Sequence, residues 1–452
     1  MRRRLLALPL NEGGRGADGG AAKQSRRRDY AVMSVTANFS ALREWDFRWQ
    51  FAAQATSALG DQIAPVALAF AVLEVRDSAS ALGVALLARQ LPLALVVLTG
   101  GVWADRLPRH RIMLSADVIR FGTQAMLGAL VIAGAAELWH FVVLQVINGA
   151  ATAFFQPAAT GLTPLTVSRQ RLQQANALMS LSLSVAVIMG PILGGILVAL
   201  VGAGWGLALD GATFAVSALC LMRIRIAPRA TVSARQSMWN ELAAGWSEVR
   251  SRQWLWMGIA NLALFQLLIY STYFVLGPVL AKDALGGAAS WGLIVTMWGV
   301  GAALAGAIAL RLRPRRPLVS AFLAFTAVAP SMVLLGLGAP GLAVATAAIA
   351  AGAGMVLGSI LWETTLQEEV PEHALSRVSA YDWAGSMALR PLGYAAVGPV
   401  ASMISARWTL IGAAGLLVAT QVATALAPGL RRLERTRLPT VVETATREES
   451  PA

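Results

Sequence analysis

Charge is scarce in this sequence. Asp, Glu, Lys and Arg make up 13% of its 452 residues, where soluble domains carry roughly 25%. So few charged groups cannot cover a water-facing surface of this size, but a surface that faces lipid does not need them. Cysteine is nearly absent too. Cys220 lies in an apolar run, which excludes a disulfide framework and a thiolate metal site. The three histidines, His110, His140 and His373, fall in connecting segments and form no ligand cluster. No metal or other cofactor is therefore expected. A Gly-x-x-x-x-Gly-Lys loop is also missing, so ATP is not the direct energy source. The loops hold no nucleophile–base set, and an integral-membrane enzyme is the least supported class. Lysine occurs only at Lys23 and Lys282, so the formal net charge of +13 is almost wholly arginine.

What the chain has in abundance is apolar sequence, 56% of all residues. About 20 helical residues at 1.5 Å rise cross a hydrocarbon core of roughly 30 Å, and runs of that length recur. Spans are expected near 47–73, 81–103, 112–134, 139–163, 175–201, 205–224, 254–277, 288–310, 317–338, 341–363, 379–404 and 408–427. Internal Pro65, Pro92 and Pro191 do not veto them, because neighbouring helices can satisfy the freed backbone groups.

The arginines then fall into a pattern. With the N-terminus inside, internal loops hold Arg106, Arg109 and Arg111, then Arg169 and Arg171, then Arg223 to Arg252, then Arg311 to Arg316, then Arg377, while external loops hold only Arg76, Lys282 and Arg407. By the positive-inside rule both termini are expected in the cytoplasm and the chain in the inner or plasma membrane. The basic excess is topological and implies no nucleic acid.

The expected organisation is a disordered cytoplasmic tail over 1–44 and a six-helix bundle over 45–226. A cytoplasmic linker follows over 227–252, with an amphipathic stretch from Met238 to Val249, then a second six-helix bundle over 253–428 and a cytoplasmic tail over 429–452. Arg2 to Arg4 resemble a signal n-region, yet Leu5 to Leu10 is too short for the apolar core of one, and Met33 is an alternative start. The halves look related. An offset near 205 lays GGVWADRLPRHR (100–111) over AGAIALRLRPRR (305–316), and an offset near 203 lays RLQQANAL (171–178) over ALSRVSAY (374–381) and Gly190 over Gly393. Internal repeats of this kind mark transporters. The fold class is thus an all-α membrane protein of about twelve transmembrane helices in two pseudo-symmetric six-helix bundles.

Several motifs carry a resemblance. Gly101-Val-Trp-Ala-Asp105-Arg106-Leu-Pro108-Arg109-His-Arg111 resembles the motif joining spans two and three in the major facilitator superfamily, with Pro108 where that family usually has Gly. Asp105, as a helix emerges, can pair with nearby arginines and latch the halves in one state, although a plain juxtamembrane charge cluster would look the same. The second half has Leu310 at the Asp position, so any latch acts through the first half. Ala186-Val-Ile-Met-Gly190-Pro191-Ile-Leu-Gly194-Gly195 resembles the motif of exporters within that superfamily, although small residues also serve ordinary helix packing. Leu59-Gly60-Asp61, Asp77 to Gly83, Gln174 to Ala177 and Leu209 to Phe214 resemble bacterial exporters related to the enterobactin exporter and the transmembrane secretion effectors, over roughly 45–428. The resemblance implies two six-helix bundles, alternating access and proton-driven efflux, and leaves the cargo open.

Charged groups within spans are the leading site candidates, since each costs roughly 2.5 kcal/mol or more at mid-bilayer unless paired or hydrated. Asp61 and Arg89, on antiparallel spans, are placed to meet, either as a structural ion pair or as a proton-responsive carboxylate facing a cavity. Arg390 stands alone, placed to hold an anionic substrate or to pair across the halves. Gln156 and Tyr270 are further cavity candidates, alongside Gln54, Gln62, Asn148, Asn261, Gln266, Tyr273, Trp298 and Trp362. Asp117 and Arg120 are expected to brace the inner gate near Asp105, and Asp210 to be structural. Gln145 stands where drug–proton antiporters often carry Arg, which leaves Asp61 as the first candidate for proton coupling.

The reading is a secondary active exporter, expected to be a monomer, whose partners are a small amphipathic molecule (drug, siderophore or secondary metabolite), the bilayer and protons. A non-transporting sensor or assembly partner on the same fold, and an importer, remain as alternatives.

Overall fold

The computed structural model describes residues 40–104, 108–225 and 246–434. These are almost entirely helical, as lipid requires of a chain that must satisfy its backbone within each segment. The main helices are α1 (Trp45–Val75), α2 (Ala79–Ala104), α3 (Arg109–Ile132), α4 (Leu138–Thr166), α5 (Leu172–Val201) and α6 (Ala203–Leu221). They continue as α7 (Gln253–Ala284), α8 (Ala288–Ala309), α9 (Pro317–Gly336), α10 (Gly341–Glu369), α11 (Glu372–Ala388), α12 (Arg390–Ile404) and α13 (Ala406–Leu426).

Nine helical segments among the described residues are long and apolar enough to cross a membrane: α1, α4 to α10 and α13, with α5 counted from Arg169. Three expected spans are not among them. Of α2, Ala79–Leu95 counts as a shorter apolar helix, α3 carries Arg109, Arg111, Asp117 and Arg120, and the span expected at 379–404 starts at Glu372 and breaks at Leu389 into α11 and α12.

One boundary differs from expectation. The tail expected over 1–44 lies outside the described residues only as far as 39, because Ser40–Arg43 forms a 3₁₀ turn. There Ala41 is buried in the cluster of Phe47, Val167, Ala175 and Leu178, and Gln174 accepts from the Ala41 amide at 2.8 Å. Of the stretch from Met238 to Val249, residues up to 245 lie outside the described ones, and the rest is helical with Val249 buried.

Helices up to α6 pack chiefly on one another, with α3 and α1 against α6, α2 against α4 and α1 against α5, and those from α7 do likewise, with α8 and α9 against α10. The two most extensive contacts that cross between the sets are α5 with α8 and α2 with α12. The turns repeat as well. Gly134 after α3 and Gly338 after α9 both have positive φ, 65° and 72°, inside the same pair of hydrogen bonds, Ala135 N to Leu130 O and Ala339 N to Leu334 O. Gly202 after α5 and Ser405 after α12 share φ of 95° and 103°. A serine in that left-handed region is unusual, and its hydroxyl accepts from Trp408 N. The spacings match the offset near 203–205 seen in the sequence.

Candidate functional site

A cavity of about 410 Å³ lies where the two sets of helices meet. α1, α2, α4 and α5 line one side, and α7, α8 and α12 the other. At its wall stands Asp61, and the antiparallel run of α1 and α2 brings Arg89 Nη2 to 3.2 Å from its Oδ1. The stronger partner is Arg120 on α3, whose Nη2 donates to both Asp61 oxygens at 2.6 and 2.7 Å. Arg120 is only 1% exposed, against 26% for the Asp61 side chain and 21% for Arg89.

Arg120 is held in turn from behind. Its Nη1 donates to Asp117 at 3.3 Å, and its guanidinium lies 3.7 Å from the centroid of the Phe214 ring. Ser217 donates to Asp117 at 2.5 Å, Gln124 donates to Asp210 at 2.6 Å, and Gln145 donates to Gln124 at 3.3 Å. Gly60 lets α6 come this close, since a side chain there would run into Thr213 and Asp210. Three carboxylates and two guanidiniums thus share one largely dry network, which offsets the cost of burying each alone.

The opposite wall depends on two breaks in helical geometry. Residues Phe265–Tyr270 of α7 form a π-helical turn, a defect that recurs at functional sites. The Ser271 hydroxyl that follows lies 2.9 Å from the carbonyl of Gln266 and 3.2 Å from that of Arg390, where α11 gives way to α12. Together they set the Arg390 guanidinium 4.2 Å over the Tyr270 ring. Tyr270, Phe274, Trp291 and Trp298 add an aromatic face to the cavity.

Several expectations meet a different arrangement. The bracing of a gate near Asp105 expected of Asp117 and Arg120 turns on a residue that lies outside the described ones. Asp117 and Arg120 are 0% and 1% exposed and tie α3 to α1 and α6, because α6 packs against both α1 and α3 and draws them together. Asp210 belongs to the same network. Gln156 is exposed on α4 and does not line this cavity, to which α4 contributes Thr152, one helical turn earlier. Of the 101–111 motif, Asp105 and Arg106 lie outside the described residues. Gly101 belongs to α2, the Arg109 guanidinium occupies the space beside Gly161, and Arg111 is exposed at the start of α3. Gly190 and Gly194 pack against Gln62 and Ile63 of α1, while Pro191 and Gly195 meet Gly292 and Ala288 of α8. Among the described residues no group of three His, Cys, Asp or Glu could hold a metal ion.

Sequence reasoning did not join Arg120 to Asp61. The π-helical turn carried no sequence signal, and the serine that closes it looked like any small polar residue in a span.

Comparison with known proteins points one way. The family model for transmembrane secretion effectors matches residues 36–441. The multidrug efflux pump Tap of Mycobacterium tuberculosis is 26% identical over 396 residues, 84% of this chain and 92% of its own. The enterobactin exporter EntS of Escherichia coli is 28% identical over 318 residues, 68% of this chain and 74% of its own. Among solved structures, the nucleoside transporter NupG superposes with a TM-score of 0.64 at 13% identity, covering 83% of this chain and 98% of its own. A bacterial homologue of the iron transporter ferroportin superposes with a TM-score of 0.66 at 16% identity, covering 84% of this chain and 98% of its own. At these identities the structures speak for the fold alone.

Proposed function

Because the chain belongs to the transmembrane secretion effector family of the major facilitator superfamily, we propose that it is a secondary active exporter of small amphipathic molecules. It works by alternating access, with twelve spans in two six-helix bundles, over 45–226 and 253–428. It sits in the plasma membrane as a monomer with both termini in the cytoplasm, and no enzymatic step is part of this reading. The observation that carries it is the cavity between the two sets of helices, walled by a carboxylate that two arginines clamp.

Contacts between the halves cluster toward one end of the helices. Lys282 Nζ donates to Leu73 O at 3.0 Å and to Asp77 at 2.8 Å, Gly398 lies against Ser80, and Gly195 against Ala288. By the positive-inside rule this arginine-poor end faces outward, so the conformation is closed outside and admits cargo from the cytoplasm. The 101–111 motif, with Gly101, Asp105, Arg106, Arg109 and Arg111, acts as the latch at the opposite end. In a Cys220→Ala background, Arg76→Cys is expected to react with a membrane-impermeant maleimide on intact cells, and a cysteine inserted after Arg316 to stay unlabelled. The reverse pattern would overturn the orientation.

Protons are the coupling ion, and Asp61 is the group that exchanges them. Protonation releases it from Arg89 and Arg120 and so changes how α1, α2 and α3 are tied together. Asp61→Asn mimics the protonated form and cannot cycle. In proteoliposomes, efflux driven by a pH gradient is expected to fall about tenfold or more, the size of an ordinary coupling free energy. Exchange of cargo without a gradient should persist. Efflux indifferent to both the gradient and the substitution would remove the coupling.

A further inference from the structure

We infer that the cargo of this cavity is an anion: a small apolar or aromatic body carrying a carboxylate or sulfonate, held between Arg89 of the first half and Arg390 of the second. The inference rests on the export reading and names its substrate class.

The charge that reaches the cavity is positive. Three ionised side chains line it, Asp61, Arg89 and Arg390. Asp61 is already claimed from behind by Arg120, on both of its oxygens. The other two carboxylates of the cluster, Asp117 and Asp210, are fully buried and do not line the cavity, bonded to Ser217 and Gln124. Those hidden acids offset the guanidiniums, so a positive wall is tolerable in lipid without an acid facing the cavity to cancel it.

These two arginines are also held less tightly than Arg120. Arg89 holds Asp61 through one contact at 3.2 Å and lies half-buried, whereas Arg120 is fixed by two contacts under 2.8 Å. Arg390 forms no ion pair among the described residues, and its buried Nε has no hydrogen-bond partner. It rests face-on against Tyr270, an arrangement that holds the plane and leaves the in-plane N–H groups available. A guanidinium on each wall is matched in shape to a carboxylate or sulfonate. Tyr270, Phe274, Trp291 and Trp298 would take the apolar part beside it. A cation would meet two like charges and a carboxylate already satisfied. An anion bound here bridges the halves and, on leaving the cell, moves down an inside-negative potential.

The test uses the full-length protein in lipid nanodiscs, with empty nanodiscs subtracted, and three fluorescent probes. These are anilinonaphthalene sulfonate, its uncharged parent phenylnaphthylamine, and cationic ethidium. The sulfonate is expected to bind at least about tenfold more tightly than the parent, the yield of one charge-assisted hydrogen bond. Arg390→Gln and Arg89→Gln should each erase that advantage, read as the ratio of sulfonate to parent affinity on the same variant, while Arg390→Lys keeps part of it. The comparison among probes on the unaltered protein stands even if a variant fails to fold. Equal or tighter binding of the parent or of ethidium overturns the inference, as does a sulfonate preference that survives Arg390→Gln in a folded variant. Export is read separately from probe-loaded proteoliposomes. If none of the three leaves faster than from protein-free liposomes, the export reading fails, whatever the binding preference.

Discussion

Replacing Arg120 with methionine is expected to destabilise the purified protein more than any other single change in the charged cluster, by about 3–5 kcal/mol, the usual result of stripping a buried ion pair of one partner. Arg120 is 1% exposed and is the shared counter-ion of Asp61 and Asp117. Without it Asp61 keeps only the longer contact to Arg89, and Asp117 keeps only the Ser217 hydroxyl. The thermal melting midpoint of the detergent-solubilised protein reads the effect. The double variant Arg120→Met with Asp61→Asn should recover part of the loss, because removing both partners leaves fewer buried charges unpaired than removing one. An unchanged midpoint for Arg120→Met, or a double variant worse than the sum of the two singles, would mean that the network does not hold these helices together.

A side chain at Gly292 should prise the halves apart. Gly195 and Gly292 face each other where α5 crosses α8. A Cβ on Gly195 would lie 2.6 Å from the Ala288 carbonyl, and one on Gly292 would run into the Pro191 carbonyl with Gly195 Cα at 3.0 Å. These neighbours are backbone, which cannot rotate out of the way as a side chain can. Gly292→Leu therefore costs the closed contact about 1–3 kcal/mol, enough to shift a two-state population by roughly five- to 150-fold. A cysteine pair reports it. With Asp77→Cys and Lys282→Cys in the Cys220→Ala background, a bifunctional methanethiosulfonate reagent that spans the length of the lost Lys–Asp pair should cross-link the two positions, since the native side chains meet there at 2.8 Å, and cross-linking should arrest efflux. Adding Gly292→Leu should lower the cross-linking yield and the efflux rate of the unlinked protein together. An undiminished yield would show that α5 and α8 do not govern closure at that end.

Much of this site could be read one residue at a time and little of it in combination. The length of apolar runs brought out the spans, and the cost of burying charge singled out Asp61, Arg89, Arg120 and Arg390. The spacing Gly190-Pro191-x-x-Gly194-Gly195 announced a close helix contact, because only small residues allow one. The partner helix α8 was not legible, since nothing in the motif names what approaches it. Arg120 was grouped with Asp117 and the neighbouring loop because three residues apart on one helix is a short-range relation. Its bond to Asp61, 59 positions away, exists only because α6 packs against both α1 and α3. The stack of Arg390 on Tyr270 depends on a π-helical turn and a helix break, both set by packing and not by local propensity.

The sequence by itself determined that this chain lives in lipid, where most of its helices lie, that its halves echo one another, and which side chains are too costly to bury without a purpose. Each of these follows from local quantities: hydropathy over a span, charge in a loop, glycine at a turn. Only the tertiary structure decided which charges neutralise one another and which are left facing the cavity. Electrostatic balance in a low-dielectric interior depends on distances of a few ångströms between helices far apart in the chain, and those distances are set by how the helices pack.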